Sequence, residues 1–185
     1  MRATVVACGA VPVLAHARAR CEDIDSVKAT GAQWVGIFAG VNSISRNSRI
    51  RFERPIPEVL STAVGHAKNI GLKVRFTIED GSRTPWSQLV EGYRAALDGG
   101  AERMCFADTV GLLCSWEVED LIGRLSREFA GHDLEVHFHN DRGMAIANAL
   151  SAVRAGARWI SSSVICTAKP AMVVPTVVVA TMTVQ

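Results

Sequence analysis

Charge of one sign is what this sequence most lacks. Its 20 Lys and Arg nearly balance 18 Asp and Glu over 185 residues, a formal excess of +2. That leaves no basic stripe for nucleic acid and no acidic tail for a cationic partner, so a small-molecule ligand is expected. Paired cysteines are missing as well. Cys8, Cys21, Cys105, Cys114 and Cys166 are odd in number, far apart and mostly set among apolar residues. This spacing suits neither a zinc ribbon nor a secreted disulfide framework and points to reduced thiols in the cytoplasm. The amino-terminal run Thr4 to Cys8 is too short, and too quickly broken by Gly9, for a signal peptide. No glycine-rich fingerprint follows this first apolar run, which argues against a dinucleotide-binding unit.

What is present is a regular alternation. Apolar, β-branched runs at Thr4 to Cys8, Trp34 to Ala39, Leu72 to Asp80, Arg103 to Ala107, Leu134 to Phe138 and Trp159 to Val164 read as six strands. Between them, Glu22 to Gly31, Pro55 to Gly71, Trp86 to Leu97, Trp116 to Phe129 and Met144 to Ala155 carry helical periodicity and end signals. Ala15 to Cys21 reads as a basic lead into the first helix, and Gly40 to Arg49 as a long polar loop. Strands alternating with helices predict a parallel α/β sheet in one domain, either open and doubly wound or closed as a barrel.

Polar groups collect at the strand ends. In Val74-Arg75-Phe76-Thr77-Ile78-Glu79 the apolar residues take one face and Arg75, Thr77 and Glu79 the other. Inside a barrel that polar row has to be paired or bound to ligand; on an edge strand it would simply be solvated. His137 and His139, two apart on an extended strand, share a face that can grip a metal ion, with Asp141 a conceivable acceptor for the second ring nitrogen. The same pair also fits an ordinary polar strand terminus. His66 falls in or beside the inner stripe of its helix and reads as structural.

Together, Arg75-Phe76-Thr77-Ile78-Glu79-Asp80, Ala107-Asp108-Thr109-Val110-Gly111, His137-Phe138-His139-Asn140-Asp141-Arg142-Gly143 and Ile160-Ser161-Ser162-Ser163-Val164 resemble, in order and spacing, the DRE-TIM metallolyases. The branch they are most similar to is the homocitrate, isopropylmalate and citramalate synthases. The resemblance covers Met1 to Val164 and implies an incomplete (β/α)8 TIM barrel, with six parallel strands standing for the family's strands 2 to 7. It implies condensation of acetyl-CoA with a 2-oxo acid, followed by thioester hydrolysis, at a divalent metal (Mg, Mn or Zn). It further implies His137 and His139 as metal ligands, Arg75, Thr77 and Thr109 as contacts to the 2-oxo acid, Glu79 in the acid/base machinery, and a homo-oligomer.

The family's first-strand Asp-Arg-Glu signature has no counterpart here, and after Val164 a family glycine-rich region is replaced by an uncharged tail, residues 165–185. Val173 to Gln185 admits three readings: a truncated or frameshifted end, a substitute strand, or a membrane segment, the last disfavoured by its Thr residues and prolines. Two alternatives therefore stand beside the synthase. One is an inactive barrel fragment or a subunit completed by another chain. The other is a carbon–carbon lyase of the hydroxymethylglutaryl-CoA lyase or 4-hydroxy-2-oxovalerate aldolase type.

Overall fold

The computed structural model describes residues 11–48, 54–164 and 178–183. Seven strands form one sheet in sequence order: β1 (Leu14–Arg18), β2 (Trp34–Gly40), β3 (Lys73–Glu79), β4 (Arg103–Asp108), β5 (Asp133–Phe138), β6 (Trp159–Val164) and β7 (Val178–Thr183). Strands β1 to β6 are parallel and curl into a half-barrel, as an incomplete (β/α)8 barrel should. Strand β7 runs antiparallel to β6, with Val164 opposite Val178 and Trp159 opposite Thr183. The helices are α1 (Cys21–Ala29), α2 (Ser43–Ser48), α3 (Ile56–Asn69), α4 (Trp86–Asp98), α5 (Ser115–Glu128) and α6 (Ala145–Arg154).

Local chemistry sets these elements. In α3, Pro57 occupies the first turn, and Leu60, Ala63, Val64 and Ala67 form the buried stripe. The start of α5 is fixed by Glu117, whose carboxylate accepts the Cys114 N–H at 2.8 Å. One face of the sheet packs on the helices: Val35, Ile37, Val74, Phe76, Ile78, Phe106 and Val136 are fully buried with Leu60, Val64, Tyr93, Ile122 and Leu125. Burying each large side chain contributes about 1.5–3 kcal/mol. Tyr93 stands edge-on to Phe76 and Phe129 and donates its hydroxyl to the Cys105 carbonyl at 2.9 Å, anchoring α4 to β4.

The opposite, concave face is polar. β3 lies between β2 and β4, so its Arg75, Thr77 and Glu79 face the barrel interior and not an open edge. The structure departs from the sequence reading in two places. The first described strand is Leu14–Arg18, overlapping the stretch from Ala15 that reads as a basic lead-in; Thr4 to Cys8 lies outside the described residues. Here Ala15 and Ala17 are buried against the helices while His16 and Arg18 take the opposite, concave face, a period-2 pattern that alanine's weak strand preference hides. The polar loop after β2 also holds the short helix α2. His66 pairs with Asp25 at 2.7 Å, joining α3 to α1, which is a structural role.

Candidate active site on the concave face

Arg75 is the centre of the polar face. Only 4% of its side chain is exposed, and its Nη1 donates to Glu135 Oε1 at 2.6 Å. Its Nη2 lies 3.3 Å from His16 Nε2, which makes that nitrogen the acceptor and leaves His16 neutral. Arg75 reaches His16 across β2 because the intervening residue is Gly36. A Cβ there would stand 3.2 Å from Arg75 Nη2, 3.4 Å from His16 Cε1 and 2.7 Å from Leu14 Cδ2. Crowding by protein, then the charge of Arg75, then His137, push the His16 pKa down to about 4.

Glu135 is fully buried and shared: its second oxygen accepts from Arg103 Nη1 at 3.1 Å. Two buried guanidinium groups thus meet one buried carboxylate, an excess of one positive charge. Arg75 Nε and Arg103 Nε are buried without a hydrogen-bond partner among the described residues, and the Thr77 hydroxyl, buried as well, has only the Cys105 thiol beside it. Orphaned polar atoms of this kind are costly unless a ligand completes them. Cys105, on the same face, has its thiol pushed up to about 12, chiefly by burial, so it stays protonated.

At the carboxyl end of β3, Glu79 stands beside Gly40 of β2. The next residue, Asp80, turns the chain with φ of +59°, a left-handed conformation that costs a non-glycine residue energy. The turn is held from several sides: Asn42 Nδ2 donates to Asp80 Oδ2 at 2.9 Å, Thr84 Oγ1 donates to the Asp80 carbonyl at 2.8 Å, and Arg83 pairs with Asp80 Oδ1 at 2.8 Å. In that conformation the Asp80 N–H donates to Thr109 Oγ1 at 2.8 Å. Asp108 is buried and accepts the N–H groups of Leu112 and Leu113, both at 3.0 Å, so it shapes the loop after β4.

His137, the penultimate residue of β5, is half-buried, and its Nδ1 donates to the Ser161 carbonyl at 3.1 Å. That bond fixes the tautomer and leaves Nε2 as the lone-pair nitrogen. The Nδ1 partner is this carbonyl of β6 and not the Asp141 carboxylate, because β6 is hydrogen-bonded beside β5. Burial is the main cause that lowers the His137 pKa, favouring the neutral, ligating form. His139 lies one residue beyond the strand, exposed, with its ring centroid 5.1 Å from that of His137 at 89°. Two imidazoles so placed suit a divalent cation as two of its ligands. Among the described residues no group of three or more His, Cys, Asp and Glu is arranged to hold one.

The structure therefore gathers Arg75, Thr77 and His137 on the concave face, with Glu79, Thr109 and His139 at the strand ends. Sequence reasoning missed His16, Glu135 and Arg103. Period-2 alternation in β1, β4 and β5 puts all three on the face of Arg75, but it marks only the face and not whether a charge there is solvated or buried in a pair. A cleft of about 440 Å³ at the opposite end of the strands, lined by Pro12, Lys28, Trp34, Gly71 and Lys73, holds none of these groups. No helix among the described residues is long and apolar enough to cross a membrane.

Known proteins share both the sequence and the fold. The chain is 37% identical to a homocitrate synthase of Sulfurisphaera tokodaii over 153 residues, 82% of this chain and 33% of that protein. It is 39% identical to a homocitrate synthase of Saccharolobus islandicus over 155 residues, again 82% and 33%. The chain thus spans about a third of the length of the curated relatives it matches. Among solved structures, the HMG-CoA lyase of Bacillus subtilis superposes with a TM-score of 0.72 at 20% identity, over 79% of this chain and 51% of that one. The carboxyl transferase domain of Rhizobium etli pyruvate carboxylase gives 0.60 at 15% identity, over 79% and 26%. At such identities these two establish the fold alone. Residues 2–185 match the HMGL-like family model, and with the homocitrate synthase relatives this shows that the chain belongs to the HMGL-like family.

Proposed function

We propose that this chain supplies the substrate-binding wall, and two ligands of the metal site, of an acyltransferase that condenses acetyl-CoA with a 2-oxo acid and hydrolyses the thioester. The observation that carries this reading is the excess cationic charge beside orphaned donors. Arg75, with its unpartnered Nε, and the Thr77 hydroxyl share the concave face with His137. Arg75 holds the carboxylate of the 2-oxo acid, which neutralises the charge that Glu135 leaves uncompensated. Thr77 donates to a substrate oxygen. Thr109 spends a lone pair on the Asp80 N–H, so its proton is available to the substrate. Glu79, at the open end of β3, moves the proton that leaves the acetyl methyl group.

His137 Nε2 and His139 would hold the divalent ion, Mg, Mn or Zn. Bound there, the ion supplies Lewis-acid polarisation of the 2-oxo group. A second reading, a fragment inactive by itself or a subunit completed by another chain, is favoured by the chain's coverage of only about a third of its relatives.

The test is release of free CoA from acetyl-CoA with a panel of 2-oxo acids and Mg²⁺ or Mn²⁺, beside calorimetry of metal and 2-oxo acid binding. CoA release that needs the 2-oxo acid and is lost in Arg75→Met supports the acyltransferase. Binding of both ligands without CoA release supports the partner-dependent subunit. Cleavage of a 3-hydroxyacyl-CoA instead would assign the lyase direction, and absence of 2-oxo acid binding overturns the proposal.

A further inference from the structure

We infer that Arg103 is a positioning residue which, through Glu135, fixes the plane of the Arg75 guanidinium; this rests on the reading of Arg75 as the carboxylate contact. Arg75 and Arg103 are direct register partners on β3 and β4. Like charges opposite each other on neighbouring strands repel, and what lies between them is the single carboxylate of Glu135, reached from β5 at 2.6 Å and 3.1 Å. Each oxygen of Glu135 serves one guanidinium, so the orientation of its carboxylate plane is shared by both.

Arg103 is the anchored member of that pair. Its guanidinium carbon lies 3.5 Å from the ring centroid of Trp159 on β6 and 5.0 Å from that of Trp34 on β2. Trp159 is in turn held by its Nε1, which donates to Asp133 Oδ2 at 3.0 Å. Trp34 also carries Lys73 Nζ at 5.5 Å, the other cation on this floor. A planar cation between indole faces keeps its orientation, whereas an ammonium would keep only its charge. Order is shared along the row: stacked Arg103 restrains Glu135, and Glu135 restrains Arg75. Arg75 has no aromatic face of its own among the described contacts, and the Nε of each arginine is buried without a partner among the described residues.

The experiment reads Arg75 without any ligand. In the isotope-labelled chain, the Nε–Hε resonance of Arg75 is followed by NMR in wild type, Arg103→Lys, Trp159→Phe and Trp159→Leu, with the Phe76 and Ile78 amides as a control for general loosening of β3. Arg103→Lys and Trp159→Leu should speed solvent exchange of that proton about tenfold while the control amides hold, and Trp159→Phe, which keeps a flat face, should stay within about twofold. If Arg103→Lys does not fold, the two Trp159 variants carry the comparison. Unchanged Arg75 exchange, or exchange that rises in step with the β3 amides, overturns the inference. A parallel titration with 2-oxo acids should show about tenfold weaker binding in Arg103→Lys, since small misplacement of a clamping group is costly. A wild-type chain that binds no 2-oxo acid sinks the functional reading, while the exchange data still decide whether Arg103 orders Arg75.

Discussion

Replacing Glu135 by Gln removes the one carboxylate between two buried guanidinium groups while keeping its shape. The amide can accept at a single oxygen, so its NH2 must face either Arg75 or Arg103, donor against donor. With donor–acceptor distances of 2.6 Å and 3.1 Å, charge centres about 4 Å apart at an effective dielectric of about 20 attract by about 4 kcal/mol per pair. Part of this is returned because the carboxylate need no longer be desolvated, and breaking a buried pair typically costs about 3–5 kcal/mol. In a chain of 185 residues this should lower the thermal midpoint by about 6–20 °C. Urea unfolding followed by circular dichroism measures the loss directly. Adding Arg75→Met to Glu135→Gln should recover part of it, because the uncompensated cation is then gone. A loss below about 1 kcal/mol, the worth of an exposed ion pair, would refute the buried-charge argument, as would a double variant less stable than the single one.

Gly36→Ala should part Arg75 from His16 and cost about 1–3 kcal/mol by overpacking, read by urea denaturation, with the His16 pKa rising towards 6.5 as its cationic neighbour withdraws. His16 itself, with its pKa lowered to about 4 in the folded chain from the ordinary 6.5, binds its proton more readily when unfolded. Its contribution to stability is therefore full above pH 6.5 and lost as pH falls through about 4. His16→Gln should flatten the stability profile in that window, and an NMR titration of the ring placing the pKa near 6.5 would contradict the assignment. Cys105, buried and with its thiol pushed up to about 12, should resist iodoacetamide in the native chain and react only on unfolding, as mass spectrometry would show. His137→Ala should abolish saturable Mn²⁺ binding in calorimetry, and retention of the wild-type isotherm would remove the imidazole pair from the metal site.

Five of the six helices and five of the six parallel strands are legible because their apolar runs and end signals agree with where burial places them: Trp34 to Ala39 and Arg103 to Ala107 differ from β2 and β4 by a residue at one end, while the polar stretch that forms α2 carries no such signal. β1 is not legible, since Leu-Ala-His-Ala-Arg buries only alanines. For the site, motif resemblance found residues near strand ends, where Arg75, Thr77 and His137 do share a face. It could not find Glu135 or Arg103, because a charged residue within a strand looks the same in sequence whether it is solvated or buried in a pair. Pairing across β3, β4 and β5 is a property of register, which a single sequence does not print.

The strand order, β1 through β7 with each strand hydrogen-bonded to its neighbours in sequence, has a consequence for how the chain assembles. No strand waits for a distant partner, so the sheet can grow by accretion, one strand-helix unit docking on the last as it leaves the ribosome. Short loop closures of this kind favour fast steps. The concave charge cluster is the exception: Arg75 emerges 60 residues before Glu135, and until β5 arrives two guanidinium groups share a surface with no counter-charge between them. Docking of β5 is thus the step at which the interior becomes electrostatically acceptable, and a nascent chain ending before Glu135 should hold β3 and β4 more loosely than one ending after it.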